Sequence, residues 1–205
     1  MLKIIKDKDP IWDTDKFDVI LIGTSIYNQL NGGFQSKMKY KYPMVDEKNR
    51  ETKYADFSKL GTRITINNTP IISLMYICGY PRPNIDTVDY DSLTKCLLTA
   101  NAEFRGKKVM ATILGSSQFD GNGDKDKCLK IIEDSTKDLD ITLYDYEQKK
   151  RADEIREQKM YLKSLQYTDI EKYNKLKNVF DLYLKKLYLN GYKNSEKRKN
   201  HCTRK

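Results

Sequence analysis

The stretch Leu21-Ile22-Gly23-Thr24-Ser25-Ile26-Tyr27-Asn28-Gln29-Leu30-Asn31-Gly32-Gly33-Phe34-Gln35 decides the fold. A short apolar run leads into a polar loop, and the loop closes on two glycines just ahead of helical sequence. The run 19–23 is continuously apolar rather than alternating, so it reads as a strand buried on both faces. Adjacent glycines let backbone N–H groups approach a bound group with no Cβ in the way. The helix N-terminus behind them adds donors and a dipole that favours negative charge.

Outward from this stretch, three more apolar runs read as buried strands: 71–77, 109–114 and 141–144. Residues 2–6 and 63–67 read as weaker strands. Helical periodicity covers 34–42, 91–104 and 125–136, with Leu93, Cys96, Leu97 and Ala100 sharing one face of the second. Alternating strands and helices predict an α/β domain, a sheet layered between helices. A second polar loop, Gly115-Ser116-Ser117-Gln118-Phe119-Asp120-Gly121-Asn122-Gly123, follows the strand at 109–114 and precedes the helix at 125. Ligands of open α/β sheets sit at the carboxyl ends of strands, so two such loops predict a diphosphate clamp between them.

Order and spacing of these loops resemble the macrodomain family over residues 1–147, which implies a three-layer mixed sheet flanked by helices. Asn31-Gly32-Gly33-Phe34 resembles the family's glycine triplet and following hydrophobe, which line a distal ribose. Gly115-Ser116-Ser117-Gln118-Phe119-Asp120 resembles its second phosphate loop, commonly Ser-Thr-Gly-hydrophobe-Phe-Gly. Gly33-Phe34 through Tyr42-Pro43, with Lys37, Lys39 and Lys41, is similar to the branch holding ADP-ribose-1″-phosphate phosphatases and terminal ADP-ribose glycohydrolases.

The resemblance implies binding of ADP-ribose by Thr24, Asn31, Gly32, Gly33 and Phe34 on one loop. On the other it implies Gly115, Ser116, Ser117, Gln118 and Phe119. The family's adenine-reading carboxylate falls on Asp9, with Asp7 as the alternative. The aromatic beside adenine falls on Tyr146, with Tyr144 as the alternative. Ser25 stands where many family hydrolases have asparagine and the glycohydrolase branch has serine. Cys78-Gly79-Tyr80 stands where that branch carries a lysine. Its catalytic aspartate aligns with Phe119, which leaves the neighbouring Asp120 as the candidate acid/base, with Ser25 beside it. Arg82, after the 71–77 strand, is a further candidate phosphate donor.

Hydrophobic residues make up 39% of the 205-residue chain and charged residues 33%. No window has the ~18 uncharged apolar residues of a membrane span, and residues 1–7 lack a signal-peptide pattern. Cys78, Cys96, Cys128 and Cys202 form no CxxC pair, and His201 is the sole histidine. No metal site of the common Cys/His kind is expected, nor a cofactor; the cysteines read as free thiols of a reducing, cytoplasmic setting.

Residues 151–205 hold 15 Lys/Arg against 7 Asp/Glu, whereas residues 1–150 hold 23 against 22. The basic character thus belongs to the C-terminal part. There, 148–166 and 168–190 read as two helices. The second opens at a Thr168–Glu171 capping box and carries an apolar face of Ile170, Leu176, Phe180, Leu184 and Leu187. The expected organisation is a domain over 1–147, a two-helix extension over 148–191 that binds a protein partner, and a basic disordered tail over 192–205.

Three functions follow as expectations: a hydrolase removing ADP-ribose from a protein or nucleic acid, or phosphate from ADP-ribose-1″-phosphate; a non-catalytic ADP-ribose or nucleotide-signal module; and an interaction protein with a vestigial pocket. The Lys-, Tyr-, Asn- and Ile-rich composition suits an AT-rich genome such as that of a bacterial virus.

Overall fold

The structure, a computed structural model, describes residues 2–30, 32–82, 85–145, 161–166, 168–174, 176–179, 181 and 182. Two compact units divide the chain, residues 1–147 and 148–205.

The first unit is built on six strands: β1 (Leu2–Lys6), β2 (Val19–Ser25), β3 (Arg63–Ile66), β4 (Ile71–Cys78), β5 (Lys108–Thr112) and β6 (Asp140–Asp145). Their order across the sheet is β1-β6-β5-β2-β4-β3. All pairings are parallel except β3 with β4. Among the described residues four α-helices accompany them: α1 (Gly33–Lys41), α2 (Met44–Glu51), α3 (Tyr90–Glu103) and α4 (Lys125–Ser135).

Side chains alternate across each strand, and the core follows that parity. Val19, Leu21, Met75, Ile77, Val109, Ala111, Ile141 and Leu143 point to one face. There they pack on Leu93, Cys96, Leu97 and Ala100 of α3 and on Cys128 and Ile132 of α4. The intervening Ile20, Ile22, Ile72, Leu74 and Tyr76 are equally buried and face the opposite way. The Tyr76 hydroxyl donates to Asn49 Oδ1 of α2 at 2.9 Å, which places α2 on that second face. Strands covered on both sides must be continuously apolar, and this is why β2 and β4 lack alternation.

Helix α2 lies in sequence that carries no apolar periodicity. Its signals are charge and proline: Pro43 at the N-cap, Asp46 and Glu47 in the first turn, Lys48 and Arg50 in the last.

Within the second unit, residues 161–166, 170–174 and 176–179 are helical. Leu162, Leu165 and Leu176 are buried, but Ile170 is 56% exposed. The expected capping box is corrected here. Asp169 caps the helix by accepting from Lys172 N at 3.0 Å, while the Thr168 hydroxyl donates back to Ser164 O. Ile170 therefore falls at the first helical position after Asp169. Phe180, Leu184 and Leu187 lie outside the described side chains. Among the described residues no helix is long and apolar enough to cross a membrane.

Candidate functional site

Strands β2 and β5 are neighbours, so the loops that follow them meet at the carboxyl edge of the sheet. The meeting point is the ring of Phe119. It lies against Gly32 and Gly33 so closely that a Cβ on Gly32 would collide with it. Gly33 has φ +52, a left-handed conformation in which its own Cβ would stand 3.2 Å from the ring. Phe34 is buried behind them. Gly33 and Phe34 open α1, so their N–H groups have no acceptor within the helix.

Asp120 organises the second loop. It is 3% exposed, and its carboxylate accepts from Gly115 N (3.0 Å), Ser117 N (2.8 Å) and the Ser117 hydroxyl (2.7 Å). Burial pushes its pKa up to about 6, against the opposing pull of those donors. Its Oδ2 sits 3.1 Å from where a Cβ on Gly23 would stand, so the carboxyl is wedged beneath the end of β2. Gly115 holds φ +85. Ser116 N and the Ser116 hydroxyl both donate to Ile113 O. The loop thus consumes the N–H groups of Gly115, Ser116 and Ser117 internally. Gln118 is exposed and makes no hydrogen bond among the described residues.

On the first loop, Thr24 and Ser25 are wholly buried. The Ser25 hydroxyl oxygen accepts from Tyr27 N at 3.3 Å, shaping the turn out of β2. The loop is held from below by groups that periodicity does not reveal. Asn28, at φ +54, donates through Nδ2 to Thr52 O at 2.7 Å. Lys59, 8% exposed, donates to Asn28 Oδ1 and to the Thr52 hydroxyl, and its ammonium stands 4.5 Å from the centre of the Tyr76 ring. Burial holds the Lys59 pKa below its ordinary value, with Asp56 opposing the shift. Above this network Tyr27 meets the exposed rings of Tyr54 and Tyr80 edge-on, at 5.4 and 5.3 Å.

Gln35, one residue past the quoted glycines and phenylalanine, bridges both loops. Its Nε2 donates to Gly23 O at 2.6 Å and to Phe119 O at 3.3 Å. The only sequence signal for it is a polar residue one turn into a helix that must bury its first turn.

Asp9 lies apart from these loops in the chain but is tied to α1. Its Oδ1 accepts from Ile11 N at 3.1 Å, capping the turn Pro10–Trp12, and its Oδ2 pairs with Lys37 Nζ at 2.5 Å. Asp7 is exposed, at φ 55. Tyr144 is a core residue whose hydroxyl donates to Asp13 Oδ2 at 2.8 Å. Arg82 is exposed on a bridge to Ile85. Cys78 is buried, its thiol pushed up by burial and by Asp120 nearby. Asn31 and Tyr146 fall outside the described residues. Among those described, no group of three or more His, Cys, Asp or Glu is placed to hold a metal ion.

No protein-family model matches the sequence, and no curated protein matches it by sequence. Solved structures do match by shape. The DarG macrodomain of Mycobacterium tuberculosis aligns at TM-score 0.55 and 13% identity, over 70% of this chain and 97% of that one. Thermosipho africanus DarTG in complex with ADP-ribose aligns at TM-score 0.56 and 11% identity, over 73% of this chain and 43% of that one. The Trypanosoma brucei macrodomain in complex with ADP aligns at TM-score 0.50 and 12% identity, over 69% and 62%.

Proposed function

We propose that this chain, which has the macrodomain fold, binds ADP-ribose between the loop 24–34 and the loop 115–123. The observation that carries the reading is the convergence of the two loops on Phe119, Gly32 and Gly33, at the start of a helix whose first N–H groups are open. A diphosphate at that point meets the positive end of α1. The structures of similar shape that hold ADP-ribose or ADP support this choice of ligand. Adenine lies toward Asp9 and Tyr146 in this reading, and the terminal ribose toward Gly33, Phe34 and Phe119. Titration calorimetry with ADP-ribose tests it: saturable one-site binding is expected, and no binding by the folded protein overturns it.

Hydrolysis of an ADP-ribose conjugate is a second reading, favoured by one observation. Asp120 has a carboxyl pushed up to about 6, within reach of acid/base work near neutral pH. Against it, both oxygens already serve the loop, and Ser25 is enclosed. Binding without chemistry is therefore the function that the geometry supports best. Incubation with ADP-ribosylated protein, ADP-ribosylated nucleic acid and ADP-ribose-1″-phosphate decides between them. Turnover that disappears in Asp120→Ala establishes the hydrolase.

A further inference from the structure

Gln35 is 5% exposed, and its carboxamide is asymmetrically satisfied. Both protons of Nε2 are directed at carbonyls, Gly23 O and Phe119 O, and this fixes which end of the amide is nitrogen. Turning the amide over would set its oxygen against two carbonyl oxygens. Its Oε1 is left buried with no hydrogen-bond partner. An enclosed acceptor of this kind loses its hydration on folding and recovers nothing until a donor arrives.

The place of this acceptor gives the donor's identity. Gln35 stands in the first turn of α1, bonded to the end of β2 on one side and to the second loop on the other. Phe119, whose carbonyl it holds, rests its half-buried ring on Gly32 and Gly33. In the ADP-ribose site proposed above, a ligand held between the two loops lies beside Gln35, which is bonded to both. At neutral pH the diphosphate of ADP-ribose is purely an acceptor, and its only donors outside adenine are ribose hydroxyls.

We propose that Gln35 is a sugar-reading residue: its Oε1 accepts a hydrogen bond from a ribose hydroxyl of the bound nucleotide, while Nε2 keeps the two loops at the spacing the ligand needs. This rests on the ADP-ribose site proposed above. The hydroxyl belongs to the adenosine ribose or to the terminal ribose, and the test separates the two.

The experiment titrates the full-length protein and Gln35→Met with ADP-ribose and with analogues each lacking one ribose hydroxyl. Methionine keeps the length and volume of the side chain but removes the acceptor and, with it, the two Nε2 donors, so a loss common to every ligand is expected on top of the change in the analogue's penalty. In the wild type one analogue is expected to bind about tenfold more weakly than ADP-ribose, the scale of one hydrogen bond. That analogue names the ribose. In Gln35→Met the penalty for the same analogue should vanish, because the partner is gone. A purely structural Gln35 weakens every ligand by one common factor and leaves the penalty in place, which overturns the proposal. So does a wild type indifferent to every hydroxyl. Should Gln35→Met fail to fold, a crystal structure of the wild type with ADP-ribose decides: a ribose hydroxyl on Oε1 upholds the proposal, and a water alone there overturns it. A wild type that binds no ADP-ribose fails the earlier reading first, and is told apart by that.

Discussion

The ring of Phe119 packs directly on Gly32, and this single contact joins two loops that are 87 positions apart in the sequence. Gly32 needs to lack a side chain because the ring occupies its Cβ space, and the backbone that carries the ring is tied to α1 by Gln35 at the Phe119 carbonyl.

Gly33→Val should abolish ADP-ribose binding. Gly33 sits at φ +52, where a β-branched residue is strained by about 1–2 kcal/mol. Its new side chain would also press on Phe119, since the Cβ alone stands 3.2 Å from the ring. The strain is small against whole-domain stability, so the variant should still unfold cooperatively. Calorimetric titration beside thermal unfolding checks both halves, and unchanged affinity in a folded Gly33→Val protein refutes the clamp.

Asp9→Asn separates the two duties of that residue. Asparagine is a good N-cap, so the turn Pro10–Trp12 is kept. The charge opposite Lys37 is lost from a pair that is 6% and 12% exposed, so stability should fall. Adenine-containing ligands should weaken by about 1–3 kcal/mol through the missing charged acceptor, and ribose-5-phosphate far less. Equal losses for both ligands would mean that Asp9 acts only by anchoring α1 through Lys37.

The strands were legible because burial on both faces demands continuous apolar runs, and 19–23, 71–77 and 109–114 have them. The two loops were legible because glycine and small polar residues cluster after those runs. Other features were hidden for physical reasons. Helix α2 buries only Val45 and Asn49, too few to print a periodicity. Lys59 is buried through polar contact with the half-buried Asn28 across 31 positions, which no local pattern records. Asp120 was readable as a loop aspartate. That its carboxylate would turn inward onto Gly115 and Ser117 depends on the missing side chain of Gly23 at the end of β2, a neighbour that only the folded chain supplies.

Asp120 should leave a pH signature on stability. Its folded pKa is raised from 3.8 to about 6, by burial. Between those values the folded state holds a proton that the unfolded state releases. The stabilisation is therefore complete below about pH 4 and is lost as pH rises through about 6, by roughly 3 kcal/mol over the full span. Asp120→Asn cannot titrate, so the wild type should lose stability relative to it between pH 4 and pH 7. Urea unfolding of both proteins across that range measures the difference. Parallel curves would mean that the loop donors outweigh burial and that Asp120 is ionised throughout.

Removal of residues 148–205 should leave ADP-ribose affinity intact. Residues 1–147 form one compact unit, and every strand of the sheet and all the described ligand-loop residues belong to it. The removed part holds 17 of the chain's 38 Lys/Arg, so the remnant is close to neutral and should be less soluble near pH 7. In the second unit Leu162 and Leu165 are buried on one helical segment and Leu176 on the next, and covered apolar side chains supply most of a helix's stability. The expected outcome is a folded remnant, by circular dichroism, that titrates ADP-ribose with the dissociation constant of the whole chain. A remnant that is folded yet no longer binds would show that residues beyond 147 build part of the site, and the separable-extension reading would fall.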